Sequence, residues 1–124
     1  MKVVYFSIAI LIGMLVIVQA SANSALRKIM NNALHAAIAN FLVGILALLL
    51  YALVTKQTSM SLSFSSAKWW HWVGGLIGAG YVIGVILLVP HLGTLGLFSS
   101  LIAGQLIASA LIDHFGWLGV PQKP

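Results

Sequence analysis

Three polar side chains recur at a helical spacing in the last apolar stretch of the chain, residues 97–115. Gln105 is followed by Ser109 and then by Asp113, the only acidic residue in the sequence. At about 100° per residue, steps of four keep all three on one helix face. In hydrocarbon such a face must contact protein or water. We predict that Gln105 and Ser109 bind a small-molecule substrate and that Asp113 is a gate or coupling charge.

Two further stretches carry isolated polar residues. Gln19, Asn23 and Arg27 repeat the same spacing at the far end of the first apolar stretch, and Asn40 lies inside the second. The first row is either an interfacial helix end, with Arg27 reaching the headgroups, or the lining of a cavity. Asn40 either forms an interhelical hydrogen bond or binds ligand. In the cavity interpretation the three amides contact substrate and Arg27 joins Asp113 as a gate or coupling residue.

Other kinds of chemistry have little support in the residue types. The chain has no cysteine, its four histidines lack metal-ligand spacing, and no nucleophile lies in a pattern with a base. The net charge is +5, but the basic residues are scattered at the ends of apolar stretches instead of forming one face. We therefore predict no enzymatic activity, no metal, no cofactor and no nucleic-acid partner.

The elements that position these residues follow from composition. Apolar residues make up 61% of the 124 residues and charged residues only 6%, which indicates a membrane protein. Charge-free runs cover 3–26, 29–55 and 69–112. The third would make a helix of roughly 66 Å, about twice the thickness of a bilayer core. The helix breakers in Pro90–Thr94 divide it. The predicted fold is a single all-α membrane domain, 1–124, with four transmembrane helices near 3–25, 33–54, 69–89 and 95–115.

The connections and the third span carry further signals. Asn31 and Asn32 suit the turn and N-cap before the second helix, and residues 55–68 form a polar, serine-rich loop. Trp69, Trp70 and Trp72 are typical of an interfacial belt, with a ligand cage as the alternative. Five glycines of the third span are predicted to pack against neighbouring helices, either statically or as a sliding gate. They are Gly74, Gly75, Gly78, Gly80 and Gly84.

The first 22 residues resemble a secretory signal, with Lys2, an apolar core and Ala20-Ser21-Ala22 as a cleavage-like motif. The apolar core is long for that role and more spans follow. We expect this segment to be retained as the first membrane helix.

Three runs of the sequence resemble a small bacterial inner-membrane family typified by YdcZ, within the drug/metabolite transporter superfamily. They are VQASANSALRKIMNNALHAAIANFLVGILALLL, WWHWVGGLIGAGYVIGVILLVPHLGTLG and AGQLIASALIDHFGWLGVP. The resemblance covers about residues 10–121. It implies a small-molecule exporter of unassigned substrate in the bacterial inner membrane. The family usually has a fifth hydrophobic helix after the Gly-Val-Pro segment, so this chain is either a shortened form or a natural four-span variant.

Four spans also make the chain similar to the small multidrug resistance transporters, which act as antiparallel dimers. Their proton-exchanging glutamate lies in the first span, where this chain offers Gln19, which cannot titrate. Four bases fall on the predicted N-terminal side and two, Arg27 and Lys28, on the other. A difference of two favours mixed insertion, or dual topology.

The favoured function is a small-molecule exporter acting as a homodimer, possibly inverted, or as a heterodimer with a related chain. The rival class is a non-transporting accessory subunit whose polar rows only hold helices together. For Asp113 the alternatives are Lys68 or headgroup water within one chain, and Arg27 or Lys28 of an inverted partner.

Overall fold

The computed structural model describes residues 2–57, 67–119 and 121, where the regular structure is helical. Helix α1 spans Lys2–Met30, α2 spans Ala33–Val54 and α3 spans Val73–Phe115. Short 3-10 turns at Trp69–Trp72 and Trp117–Gly119 flank α3. The all-α prediction is confirmed, and the bounds of α2 agree with it. The middle of the predicted loop 55–68 lies outside the described residues.

The turn between α1 and α2 is made by two asparagines, as predicted. Asn31 has a positive φ of 52°, a conformation that asparagine tolerates better than most residues. The Asn32 Oδ1 accepts hydrogen bonds from the backbone amides of Leu34 at 2.8 Å and His35 at 3.2 Å. These bonds satisfy two of the otherwise unpaired donors at the start of α2. The tight turn places α1 and α2 side by side.

Helix α3 contains a backbone break at Gly93. Its φ of 67° and ψ of 167° are non-helical, while Pro90 lies within the helical run. Gly78 and Gln105 line one cavity, although 27 residues of continuous helix would separate them by about 40 Å. The parts of α3 before and after Gly93 therefore lie beside each other.

The structure has three long helices among the described residues, where the sequence predicts four. Helix α3 joins residues 73–89 of the predicted third span to the whole predicted fourth span, 95–115, because only one of the expected breakers leaves the helical conformation. The first four residues of the third span form a 3-10 turn instead of α-helix.

Small residues mark the places where the helices meet. One buried cluster joins Ala20 of α1 to Val85, Leu97 and Phe98 of α3. A second joins Ala36 and Ala37 of α2 to Ile86, which is fully buried. Alanines allow helix backbones to approach closely, which is how helices commonly pack inside membranes.

Most of the remaining apolar surface is exposed. All three long helices are long and apolar enough to cross a membrane, with mean hydropathies of 2.5, 2.5 and 2.2 over their most apolar stretches. Large side chains such as Phe6, Leu48 and Leu95 are more than two-thirds exposed. Water would disfavour so much apolar area, whereas lipid accepts it. The surface of the chain is thus suited to a bilayer.

The five glycines predicted to pack against other helices are not closely approached within the chain. A Cβ atom added at any of them would meet no heavy atom within 4 Å. The described part of the chain therefore leaves space at each of these glycines.

Candidate functional site

A side-chain amide of α1 contacts a side-chain amide of α2. The Gln19 Nε2 donates a hydrogen bond to the Asn40 Oδ1 at 3.4 Å. Among the two alternatives for Asn40, the interhelical bond is therefore present. Gln19 also lines two cavities that α1 shares with α3.

A cavity of about 570 Å³ lies between α1, α2 and both parts of α3. We call it the central cavity. Two of the residues predicted to bind substrate, Gln19 and Gln105, line it from opposite ends of the sequence. The complete lining is Ile10, Gly13, Met14, Val16, Ile17, Gln19, Phe41, Gly78, Tyr81, Val82, Phe98, Ile102 and Gln105.

The two amides of the central cavity differ in their partners. The Gln19 amide is bonded to Asn40, whereas the Gln105 side chain makes no hydrogen bond to the part of the chain that is described. A primary amide offers two donors and an acceptor. Gln105 can therefore give all of its bonds to a molecule in the cavity.

Aromatic side chains line the central cavity as well, and the sequence analysis did not identify them as site residues. They are Phe41, Tyr81 and Phe98. A usable signal existed for Phe98, because it precedes Gln105 by seven residues and thus falls on the same helix face. No such relation links Phe41 or Tyr81 to Gln105, since they lie on other helical segments.

Asn23 occupies a separate position next to the central cavity. It is only 8% exposed and lines a small space of about 10 Å³ together with Gln19 and Tyr81. That volume is about what one water molecule needs. The space beside Asn23 can therefore hold one water molecule but not a larger ligand.

Arg27 lies at the end of α1, away from the central cavity. Its Nη1 donates a hydrogen bond to the Ile86 carbonyl oxygen of α3 at 3.3 Å. Arg27 also lines a polar cavity of about 290 Å³ with Ser24, Lys28, Asn31 and Pro90. Gln19 and Arg27, the first and last residues of the predicted row, thus line two different cavities.

The row Gln105–Ser109–Asp113 reaches the central cavity only at Gln105. Ser109 is exposed and Asp113 is half-buried, and neither lines that cavity. Asp113 forms no ion pair with Lys68, although both residues are described.

A second apolar recess lies at the tryptophan end of the chain. Trp69, Trp70 and Trp117 line a space of about 630 Å³ with apolar residues of late α3. Trp69 and Trp117 are more than half exposed, and the Trp117 ring stacks on Phe115 with centroids 4.9 Å apart. Exposed tryptophans at helix ends fit the predicted interfacial belt.

The described residues form no candidate metal-binding site. No group of three or more His, Cys, Asp or Glu side chains lies close enough there to hold a metal ion. The chemistry available in the central cavity is hydrogen bonding by amides and a phenol within an apolar wall.

Comparison with known proteins assigns a family. No curated protein and no solved structure matches the chain significantly. The family model described as "Putative inner membrane exporter, YdcZ" matches residues 4–124, nearly the whole chain. With three helices suited to crossing a bilayer, the chain is an inner-membrane protein. The resemblance found in the sequence is confirmed, and the chain belongs to the YdcZ family.

Proposed function

We propose that the chain exports a small, mainly apolar molecule that occupies the central cavity and hydrogen-bonds to Gln105. The observation that carries this proposal is the convergence of Gln19 and Gln105 on one cavity of about 570 Å³. A volume of that size and an apolar wall with few polar groups are typical of small-molecule sites.

The lining also restricts the charge of the substrate. Among the described residues no Asp, Glu, Lys or Arg lines the central cavity, so an ion with a compact charge would lose its hydration without gaining a counter-ion there. A neutral molecule, or a cation whose charge is spread over a ring system, avoids this cost. The faces of Phe41, Tyr81 and Phe98 attract such delocalised cations.

Four membrane crossings are part of this proposal. A straight helix of the length of α3, 43 residues, would extend roughly 65 Å, while the hydrocarbon core is about 30 Å thick. Two crossings joined at Gly93 resolve the difference. The shared lining of the central cavity by Gly78 and Gln105 supports this arrangement.

A dimer is also part of the proposal. Several lining residues of the central cavity, including Ile10, Met14 and Ile102, are half or more exposed, so the cavity opens toward whatever surrounds the chain. A second copy would close it. The glycines of early α3 that have free space around them are suited to that contact, because small residues let helices from two chains approach.

The test is a thermal-shift screen of a small-molecule library on the purified protein, repeated with Gln105→Leu and with Gln57→Leu. A molecule that binds the folded state raises the unfolding midpoint. We expect Gln105→Leu to abolish the shift while leaving the ligand-free midpoint equal or higher, because it removes a polar group from an apolar site. Gln57→Leu makes the same chemical change at an exposed residue beyond α2 and should retain the shift.

One observation favours the accessory-subunit alternative. The Gln19–Asn40 bond joins two helices, as a purely structural amide would. If Gln105→Leu keeps the ligand shift and loses about 1 kcal/mol of unfolding free energy, on the order of an interhelical hydrogen bond, the polar residues hold helices together and the transport proposal fails.

A further inference from the structure

Pro90 leaves one backbone acceptor of α3 without its usual donor. In an α-helix the carbonyl of residue 86 bonds to the amide of residue 90, and proline has no such hydrogen. The Arg27 Nη1 donates to this Ile86 oxygen at 3.3 Å. The bond crosses from α1 to α3 and fixes the guanidinium beside Pro90. Arg27 is thus held in place by one bond while most of its five donors remain available.

The fixed guanidinium borders the polar cavity of about 290 Å³ formed with Ser24, Lys28, Asn31 and Pro90. We call it the cationic cavity. Arg27 and Lys28 give it two positive charges, and the only acidic residue of the sequence, Asp113, is not among the described residues that line it. The ends of α1 and α2 contribute opposite partial charges here, so the two side chains decide the sign of the field. An anion is the expected occupant.

Ser24 provides a second observation that points to a ligand. It is only 7% exposed, and its hydroxyl makes no hydrogen bond to the described part of the chain. The hydroxyls of Ser21, Ser99 and Ser100, in contrast, donate to the carbonyl four residues earlier at 2.8–3.0 Å. The described residues include no buried polar side-chain atom that lacks a partner, so the unbonded Ser24 oxygen is accessible although most of the residue is buried. The cavity is the place from which a partner can come.

We infer that the cationic cavity binds a phosphate group, held by the free guanidinium donors of Arg27, the ammonium of Lys28 and the hydroxyl of Ser24. A planar guanidinium is matched to phosphate oxygens. The cavity lies where α1 ends and beside Pro90 of α3, which the four crossings proposed above place at the level of the lipid headgroups. A phospholipid phosphate and a free phosphate share the chemistry, and both reach this depth. The site is separate from the central cavity; it rests on the proposed crossings but not on transport of a substrate.

The test measures the unfolding midpoint of the full-length protein in neutral detergent under two pairs of conditions. One pair compares added phosphatidylglycerol with phosphatidylcholine. The other compares inorganic phosphate with sodium chloride at equal ionic strength. We expect phosphatidylglycerol to raise the midpoint by several degrees over phosphatidylcholine. An equal response to inorganic phosphate identifies the free anion as sufficient, and a response to the lipid alone identifies the headgroup as the source.

Three variants decide whether the response comes from this cavity. Lys28→Gln removes one charge without touching the Ile86 bond, and Ser24→Ala removes the hydroxyl while keeping the charge. Both should lose most of the shift. Lys56→Gln removes an equal charge at the opposite end of α2 and should keep it. No shift in the native protein, full retention in Ser24→Ala or Lys28→Gln, or an equal loss in Lys56→Gln would overturn the inference.

A carboxylate from a second, inverted copy is the rival occupant. Asp113→Asn distinguishes the two. If the phosphate response is the same with and without Asp113, the cavity is a phosphate site. If the native protein shows no response and Asp113→Asn gains one, the partner's carboxylate fills the cavity and the phosphate inference is wrong.

Discussion

The Arg27 side chain replaces a helix hydrogen bond that Pro90 removes. Proline inside a helix normally costs stability through the lost hydrogen bond, and in lipid no water can replace it. Here the free acceptor, the Ile86 oxygen, receives the Arg27 side chain instead. Leaving that acceptor unpaired would cost about 1–3 kcal/mol.

We therefore expect the effects of mutating Arg27 and Pro90 on the unfolding free energy to be non-additive. Arg27→Leu should lower the unfolding free energy by about 1–3 kcal/mol, because the Ile86 oxygen loses its donor. In a Pro90→Ala background the alanine amide can bond to Ile86 within the helix, so the same change should cost roughly 1 kcal/mol less. Denaturant titration of the four proteins in mixed micelles gives the coupling. Equal costs in the two backgrounds would show that Arg27 acts independently of the proline.

For single residues, the sequence showed which polar side chains line the cavity better than it showed their hydrogen-bond partners. The spacing predicted that Gln19 and Gln105 face protein or water instead of lipid, and the structure places both in the lining of the central cavity. The spacing could not predict that Gln19 bonds to Asn40 while Gln105 stays free, since that depends on which helices become neighbours. The gate role of Arg27 remains a prediction, and its bond to Ile86 had no signal beyond the position of Pro90.

At the scale of elements, Gly93 determines how α3 folds back. Its φ of 67° with ψ of 167° belongs to a backbone region that is essentially restricted to glycine. A Cβ atom at this position would meet nothing within 4 Å. The requirement for glycine is therefore one of backbone conformation and not of space.

Gly93→Ala should lower the unfolding free energy by about 1–3 kcal/mol through backbone strain, or straighten the break. Gly96→Ala is the matched control, three residues later in regular helix, where an added Cβ makes an ordinary contact with Leu92 at 3.9 Å. It should be neutral or stabilising by up to about 1 kcal/mol, because alanine favours helix more than glycine does. Thermal unfolding in detergent compares the two. A control that is as destabilised as Gly93→Ala would contradict the conformational explanation.

The sequence predicted where the third apolar run breaks, because a length of roughly 66 Å cannot fit a bilayer. It did not predict which residue breaks it. Pro90 was the strongest breaker by type, yet its fixed φ is compatible with helix and its missing donor is compensated from α1. The break falls at Gly93, whose special conformation has no signature other than glycine itself.

At the scale of the whole molecule, the chain has two open features on its surface. The central cavity has exposed lining residues, and the glycines of early α3 have free space around them. The sequence predicted close helix packing at these glycines, and the residues that the structure describes do not provide it. Which surface a second copy covers cannot be read from periodicity, because a lipid-facing and a partner-facing apolar residue look the same in a sequence.

An inverted dimer makes a prediction that no parallel dimer shares. With four crossings, Asp113 lies on the N-terminal side of the membrane and Lys28 on the other, about 30 Å apart within one chain. Inversion of one copy brings Asp113 to the level of its partner's Lys28, which makes the two residues neighbours whether or not the carboxylate enters the cationic cavity. The chain has no native cysteine, so Asp113→Cys with Lys28→Cys reports this contact alone. Arg27 is left intact because it bonds to the Ile86 carbonyl oxygen.

We expect oxidation in native membranes to give a covalent dimer for the double variant and none for either single variant. A parallel dimer would instead link like positions, so a covalent dimer in a single variant, with no gain in the double variant, would exclude the inverted arrangement.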